Sequence, residues 1–250
     1  QLRRLVQIER ISWRKRMKIA VCISGQPRAY KQGYEYMKRN LLDKYDCDIF
    51  IHTWHNKVYG TEDVIHLYKP KMWNTERPFS DGAFDAKYTN TPNAKGWPPT
   101  ATISMFYSMF QSLTLKTNYE IMHNKYDWVV KTRFDYALNG IIPFDKLDNS
   151  KLYIPDCRTV PTRDFGNDQF AFSSSKNMTE YMSTYLYMRQ YYDSGVQMIG
   201  ENMMSANLKR CKLTGDNLIY VNMNNPFPPG PYNATPHSLL REDKHLWQDS

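Results

Sequence analysis

Apolar positions along this chain fall into two regimes. In one they form short unbroken runs bounded by turn residues; in the other they recur every third or fourth residue. Lys18-Ile19-Ala20-Val21-Cys22-Ile23-Ser24-Gly25, Asp48-Ile49-Phe50-Ile51-His52-Thr53-Trp54 and Trp128-Val129-Val130 are unbroken runs. Such runs predict strands buried on both faces, the habit of parallel sheets. Tyr30, Tyr34, Met37 and Leu41 recur at helical spacing between the first two, and residues 62–68 predict a short helix. The clearest helical pattern, Ile103, Phe106, Tyr107, Phe110, Leu113, Thr117 and Ile121, leads through Tyr126 into the strand at Trp128.

Further along, Lys151–Pro155 and the run before Ser173 predict strands. Met178, Tyr181, Met182, Tyr185, Leu186 and Arg189 then line one face of a helix that Ser174 or Ser175 can cap. A helix from Gly200 through Leu208 and a last strand Leu218–Val221 follow. Strands alternating with helices imply an α/β fold. Residues 70–99 are rich in Pro, Asn, Thr and Lys with isolated aromatics, which predicts a long irregular loop of the kind that covers sites. Residues 2–13 predict a helix with a ragged apolar face, and the tail from Asn224 is irregular. The expected organisation is a basic arm, residues 1–16, before one domain, residues 17–250.

Charge changes this picture at one place. Six cationic side chains stand against Glu9 in residues 1–16, a net +5 of the chain's +8, so the body is nearly neutral. A nucleic-acid-binding domain spreads basic charge over its folded face, so none is expected as a partner; the arm suits peripheral contact with a membrane surface. Cys22, Cys47, Cys157 and Cys211 form no Cys-x-x-Cys pair, and two of them sit in apolar runs, which favours free thiols in a reducing compartment such as the cytoplasm. No signal peptide or membrane span is expected.

The stretch Asp127–Tyr136 carries the most chemistry. It begins as a buried strand and delivers Arg133 and Asp135 two residues apart, so on an extended backbone both point the same way. A guanidinium fork suits a phosphate and a carboxylate suits a hard divalent cation. The plainer reading of the same two residues is an ion pair at a strand end. Arg28, in the turn after the first strand, can also reach a phosphate. Asn167 and Asp168, ahead of a short apolar strand, are a second polar candidate, and Glu201 is an acid on the first turn of a helix.

Taken in order, Ile23–Arg28, Asp48–Trp54, Val130–Asp135 and Asn167–Phe172 resemble the small nucleotide-sugar glycosyltransferases of large algal DNA viruses, with phage and bacterial relatives. The resemblance spans about residues 17–210 and rests on motif order and spacing. It implies a GT-A fold, a mainly parallel nucleotide-binding sheet flanked by helices, working with Mn²⁺ or Mg²⁺ in viral glycan synthesis. It implies a nucleotide-sugar donor (a UDP-sugar favoured), a glycan or glycoprotein acceptor, and transfer of a hexose or pentose with inversion.

Arg133-Phe134-Asp135 occupies the place of that family's Asp-x-Asp motif with Arg in the first position, which leaves Asp135 as the implied metal ligand. Ser24, Gly25, Arg28, Thr53, Arg133 and Asp135 are the implied nucleotide-holding set. Glu201 or Asp168 is the implied base. A sugar nucleotidyltransferase or another metal-diphosphate enzyme, and a carbohydrate-binding module without catalysis, are the alternatives; the glycine-rich, lysine-bearing loop of nucleotidyltransferases is missing at Ser24-Gly25-Gln26.

Overall fold

The computed structural model describes residues 17–55, 60–79, 84, 86–89, 98–156 and 166–221. The expectations for the basic arm, for parts of the 70–99 loop, for Cys157 and for the tail from Asn224 lie outside the described residues.

Among the described residues, seven strands form one mixed sheet: β1 Lys18–Gly25, β2 Asp46–Trp54, β3 Met72–Glu76, β4 Trp128–Thr132, β5 Leu152–Pro155, β6 Ala171–Ser173 and β7 Leu218–Val221. Their order is β3-β2-β1-β4-β6-β5-β7. β1 runs parallel to β2 and β4, β2 to β3, and β5 to β7; only the pairings of β6 with β4 and β5 are antiparallel. The helices are α1 Tyr30–Met37, α2 Thr61–Tyr68, α3 Ala86–Thr89, α4 Pro99–Met122, α5 Ser175–Met182, α6 Thr184–Asp193 and α7 Gly200–Arg210. The α/β expectation is met, with a mostly parallel sheet flanked by helices.

Alternation along β1 explains its unbroken apolar run. Ala20 and Cys22 face one core with Phe50, Val129 and the α4 residues Ile103, Phe106, Met109 and Leu113; α5–α7 add Met178, Met182, Met203 and Met204. Ile19, Val21 and Ile23 face the other, with Tyr30 and Met37 of α1 and Val64 and Tyr68 of α2. Successive residues must be apolar because each face meets helices.

Three expectations are corrected. β3 lies inside the segment read as irregular; Trp73 is exposed and Asn74, Thr75 and Glu76 are polar, so no apolar run announced it. The helix expected to run from Met178 to Arg189 is two, α5 and α6, divided at Ser183. The break turns α6 so that Met188 and Tyr191 are buried while Leu186 is exposed. Ile121, placed on the core face of the long helix, is 75% exposed, because Tyr119, packed on Phe50, and Glu120, paired with buried Lys116, take the inner face of the last turn.

The amino-terminal end of the sheet is tied by ionic contacts. Lys18 Nζ lies 2.8 Å from Asp48 Oδ2, and the Tyr126 hydroxyl donates to the same oxygen at 2.7 Å. Burial pushes the Asp48 pKa up, but these partners hold it below the ordinary value. Fully buried Lys116 donates to Glu120 and Ser175, both at 2.8 Å. These charges are satisfied and lie at the opposite edge from the site described next.

Candidate active site at the carboxyl edge of the sheet

From β1 the chain steps outward to β2 and β3, then returns through α4 to β4 on the other side of β1. The sheet order therefore reverses between β1 and β4, and open α/β sheets bind ligands in the crevice at the carboxyl ends of such a pair. Ile23 pairs with Thr132, so the Gly25 turn and Arg133 leave the sheet side by side.

Gly25 has φ +108°, a left-handed conformation that glycine adopts without steric cost. Its N–H donates to Ser108 Oγ at 2.8 Å, and its carbonyl accepts from Thr53 Oγ1 at 3.0 Å. Thr53 is fully buried, so it shapes the turn rather than facing the crevice, and Ser24 is buried beside it. The Arg28 guanidinium, half-buried, donates to Gln26 Oε1 at 3.2 and 3.0 Å through Nε and Nη2, which folds it back over the turn.

β4 ends at Thr132, and residues 134 and 135 form a turn. The backbone is therefore not extended here, and it is the turn rather than strand alternation that brings Arg133 and Asp135 together to bind each other. Nε donates to Asp135 Oδ1 at 2.8 Å and Nη2 to Oδ2 at 2.7 Å. Both carboxylate oxygens thus accept from one planar fork, the strong geometry for this pair. Burial pulls the Arg133 pKa down, yet Asp135 leaves it above its ordinary value.

Two residues earlier, Lys131 is 1% exposed. Its ammonium donates to the Asp168 and Gln169 carbonyl oxygens. Burial pushes its pKa down to about 7, with Asp168 opposing and the Arg133 charge reinforcing the shift. Lys131 thereby ties β4 to the segment that carries Asp168.

That segment is held at every residue. Gly166 N–H donates to Ser205 Oγ at 2.9 Å, and a Cβ there would come within 2.7 Å of the Met204 side chain and the Ser205 nitrogen on α7. Buried Asn167 accepts from the Gln169 and Phe170 amides at 2.8 and 3.2 Å, an Asx turn, while its own carbonyl takes the Tyr181 hydroxyl at 2.5 Å. The Asp168 carboxylate then reaches the first residue of α7, where any side chain on Gly200 would overlap its Oδ2. Burial raises the Asp168 pKa; Lys131 and Arg133 oppose the rise, and Glu201 adds to it. Lys131, Arg133, Asp135, Asp168 and Glu201 therefore form one electrostatic cluster. Glu201 is half-buried on the first turn of α7.

A second buried polar group lies beside the Gly25 turn. His52 Nδ1 is 2.8 Å from Ser108 Oγ, and His52 Nε2, which makes no hydrogen bond, is 3.5 Å from Glu76 Oε1. Glu76 also accepts from the Tyr107 hydroxyl at 2.9 Å and from Asn74 Nδ2 at 2.8 Å. Trp54 stacks on Tyr107 with ring centroids 5.8 Å apart, and Phe79 meets both edge-on. Ser, His and Glu in contact suggest a nucleophilic triad, but Ser108 has no exposed surface and its oxygen is engaged by the Gly25 amide. It cannot attack a substrate from there.

The sequence reading named Ser24, Gly25, Arg28, Thr53, Arg133, Asp135, Asp168 and Glu201. The carboxyl edge of the sheet brings together the Gly25 turn and the Arg133–Asp135 pair, with Asp168 and Glu201 in electrostatic contact, while buried Ser24 and Thr53 lie under the turn. Lys131, Ser108 and Glu76 were not named. Lys131 did leave a signal, since a lysine following Val129 and Val130 in a buried strand must find partners. Glu76 and Ser108 left none, because their roles come from strand register and helix docking.

No family model matches this chain, and no curated protein matches it. Fold and site define the class alone: an α/β protein with a seven-stranded mixed sheet and an ionic cluster at its topological switch point. Among the described residues, no helix is long and apolar enough to cross a membrane.

Proposed function

We propose that this protein is a glycosyltransferase of GT-A type, moving a sugar from a nucleotide-sugar donor, a UDP-sugar first, to a glycan hydroxyl with inversion. The observation that carries this reading is the cluster at the switch point. An arginine paired with Asp135, a glycine turn and two further carboxylates gather at the carboxyl edge of β1 and β4, where a diphosphate and an acceptor hydroxyl would have to meet.

In the transfer, the bond from the anomeric carbon to the diphosphate oxygen breaks, the bond to the acceptor oxygen forms, and the acceptor's proton leaves to a base. Arg133, and Arg28 once it swings from Gln26, are the cations able to hold the charge that grows on the departing diphosphate. Glu201 is the base, on the first turn of α7 beside Asp168, while Asp168, close to Lys131 and Arg133, orients sugar hydroxyls.

Mn²⁺ or Mg²⁺ fits this arrangement poorly. Both Asp135 oxygens are already engaged by Arg133, and no group of three His, Cys, Asp or Glu side chains able to hold a metal ion occurs among the described residues. A cation at Asp135 needs the fork to open first, so charge stabilisation is assigned to arginine. Cys22, Cys47 and Cys211 are free, and burial pushes the Cys22 and Cys47 thiols up to about 12, which makes them unreactive.

The test is a thermal-shift screen of UDP- and GDP-sugars with and without Mn²⁺. A ligand of the folded state at about a hundredfold over its dissociation constant adds roughly 2.7 kcal/mol of stability. A melting temperature unmoved by every sugar nucleotide overturns the reading.

A further inference from the structure

The Glu76–His52–Ser108 contacts have a direction. Ser108 Oγ accepts from the Gly25 amide at 2.8 Å, and its single proton has two acceptors on His52: the ring Nδ1 at 2.8 Å, the nearer, and the backbone carbonyl oxygen at 3.3 Å. The other ring nitrogen, fully buried, stands 3.5 Å from a Glu76 carboxylate oxygen. A lone pair on Nε2 would face a negative oxygen, whereas a proton there faces an acceptor. The favoured arrangement therefore puts the imidazole proton on Nε2 and leaves Nδ1 to accept from Ser108. The low dielectric of the interior strengthens both the Ser108–His52 hydrogen bond and the 3.5 Å electrostatic contact of the ring with Glu76.

We propose that Glu76, His52 and Ser108 are a positioning relay that holds the Gly25 turn in its left-handed conformation so that the turn can receive the donor's diphosphate. This rests on the glycosyltransferase reading for what the turn receives, but not for the relay itself. Glu76 is the outer end: its side chain is 30% exposed, on β3, and anchored by Tyr107 of α4 and by Asn74. Ser108, on α4, is the inner end. Three elements separated in sequence thus act on one backbone amide. The groups facing His52 are Glu76 from β3, Tyr107 from α4 at a ring distance of 5.7 Å and Trp54 from β2 at 5.1 Å. Of these only Glu76 carries a carboxylate, and burial outweighs its pull, so the imidazole stays neutral with a pKa pushed down to about 4.

The relay is tested on the intact chain by nitrogen-resolved NMR of the His52 ring, by exchange of the Gly25 amide, and by calorimetric titration with UDP. His52 is expected as the Nε2–H form throughout about pH 5–8, the range in which an unperturbed histidine titrates. Ser108→Ala removes the acceptor with almost no change in volume. It should speed Gly25 amide exchange and weaken UDP binding, each by about tenfold, the scale of one lost buried hydrogen bond. Glu76→Gln keeps the shape of the outer end, and should leave His52 a mixture of tautomers. An Nδ1–H ring in the wild type, or a Gly25 amide indifferent to Ser108→Ala, overturns the relay. Faster exchange with unaltered UDP affinity overturns its positioning role. A wild type that binds neither UDP nor GDP removes the glycosyltransferase reading instead, while ring and amide still decide the relay.

Discussion

Gly33 of α1 lies directly against the carbonyl of Phe134, so closely that a Cβ on Gly33 would overlap that oxygen. The helix that follows the first strand thereby rests on the backbone between Arg133 and Asp135. Phe134 is fully buried and meets the Tyr68 ring edge-on at 5.6 Å, which closes the contact from α2. The ionic fork is held by packing beneath it as much as by its own charges.

Gly33→Ala should therefore destabilise the fold by about 1–3 kcal/mol, the range for overpacking a close contact, although alanine favours a helix. Urea unfolding measures this. A variant as stable as the wild type would mean that the helix can lift from the turn freely.

Arg133 and a metal compete for the same two oxygens. If a divalent cation binds Asp135, Arg133→Met should strengthen Mn²⁺ binding, while Asp135→Asn should weaken metal-dependent UDP binding by about tenfold or more. Calorimetry of UDP with and without Mn²⁺ separates the cases. A metal effect identical in wild type and Asp135→Asn takes Asp135 out of any metal site.

The roles of the two remaining carboxylates are separable. Glu201→Gln should lower turnover by about 10²–10⁴-fold, the range for a general base, with donor affinity little changed. Gly200→Ala should push the Asp168 carboxylate from its place and lower turnover while Glu201 is intact. Single-turnover kinetics on both variants and on Asp168→Asn reads the assignment. If Asp168→Asn is inactive and Glu201→Gln near normal, Asp168 is the base.

Acid should act through His52. Its pKa is about 4 in the fold against 6.5 ordinarily. Between those values the unfolded chain binds the proton that the folded ring refuses, so stability falls as pH drops from about 6.5 towards 4. Urea unfolding at pH 7 and at pH 4.5 should show a larger loss for the wild type than for His52→Asn. Equal losses would mean that the ring charges in place without cost.

The two-faced burial of β1, β2 and β4 was readable because an unbroken apolar run leaves a strand no solvent face. The chemistry of Arg133, Asp135, Asp168 and Glu201 was likewise readable as residue type and spacing, and so was the start of α7 at Gly200. β3 was not, since an edge strand with polar Asn74, Thr75 and Glu76 takes its structure from pairing with β2 rather than from its own pattern. Nor was the break at Ser183, which the tyrosine- and methionine-rich run conceals.

Tertiary structure alone decided how the charged residues are spent. An arginine and an aspartate two positions apart suit one ligand or each other equally well; the turn at residue 134, packed under Gly33, brings the fork onto the carboxylate. Whether Lys131 serves as cation or anchor depended on the carbonyls of a segment 37 residues away. The partners of His52 come from β3 and α4, set by strand register and helix docking. Local spacing specifies which groups can meet a ligand, and long-range packing specifies which of them are already occupied.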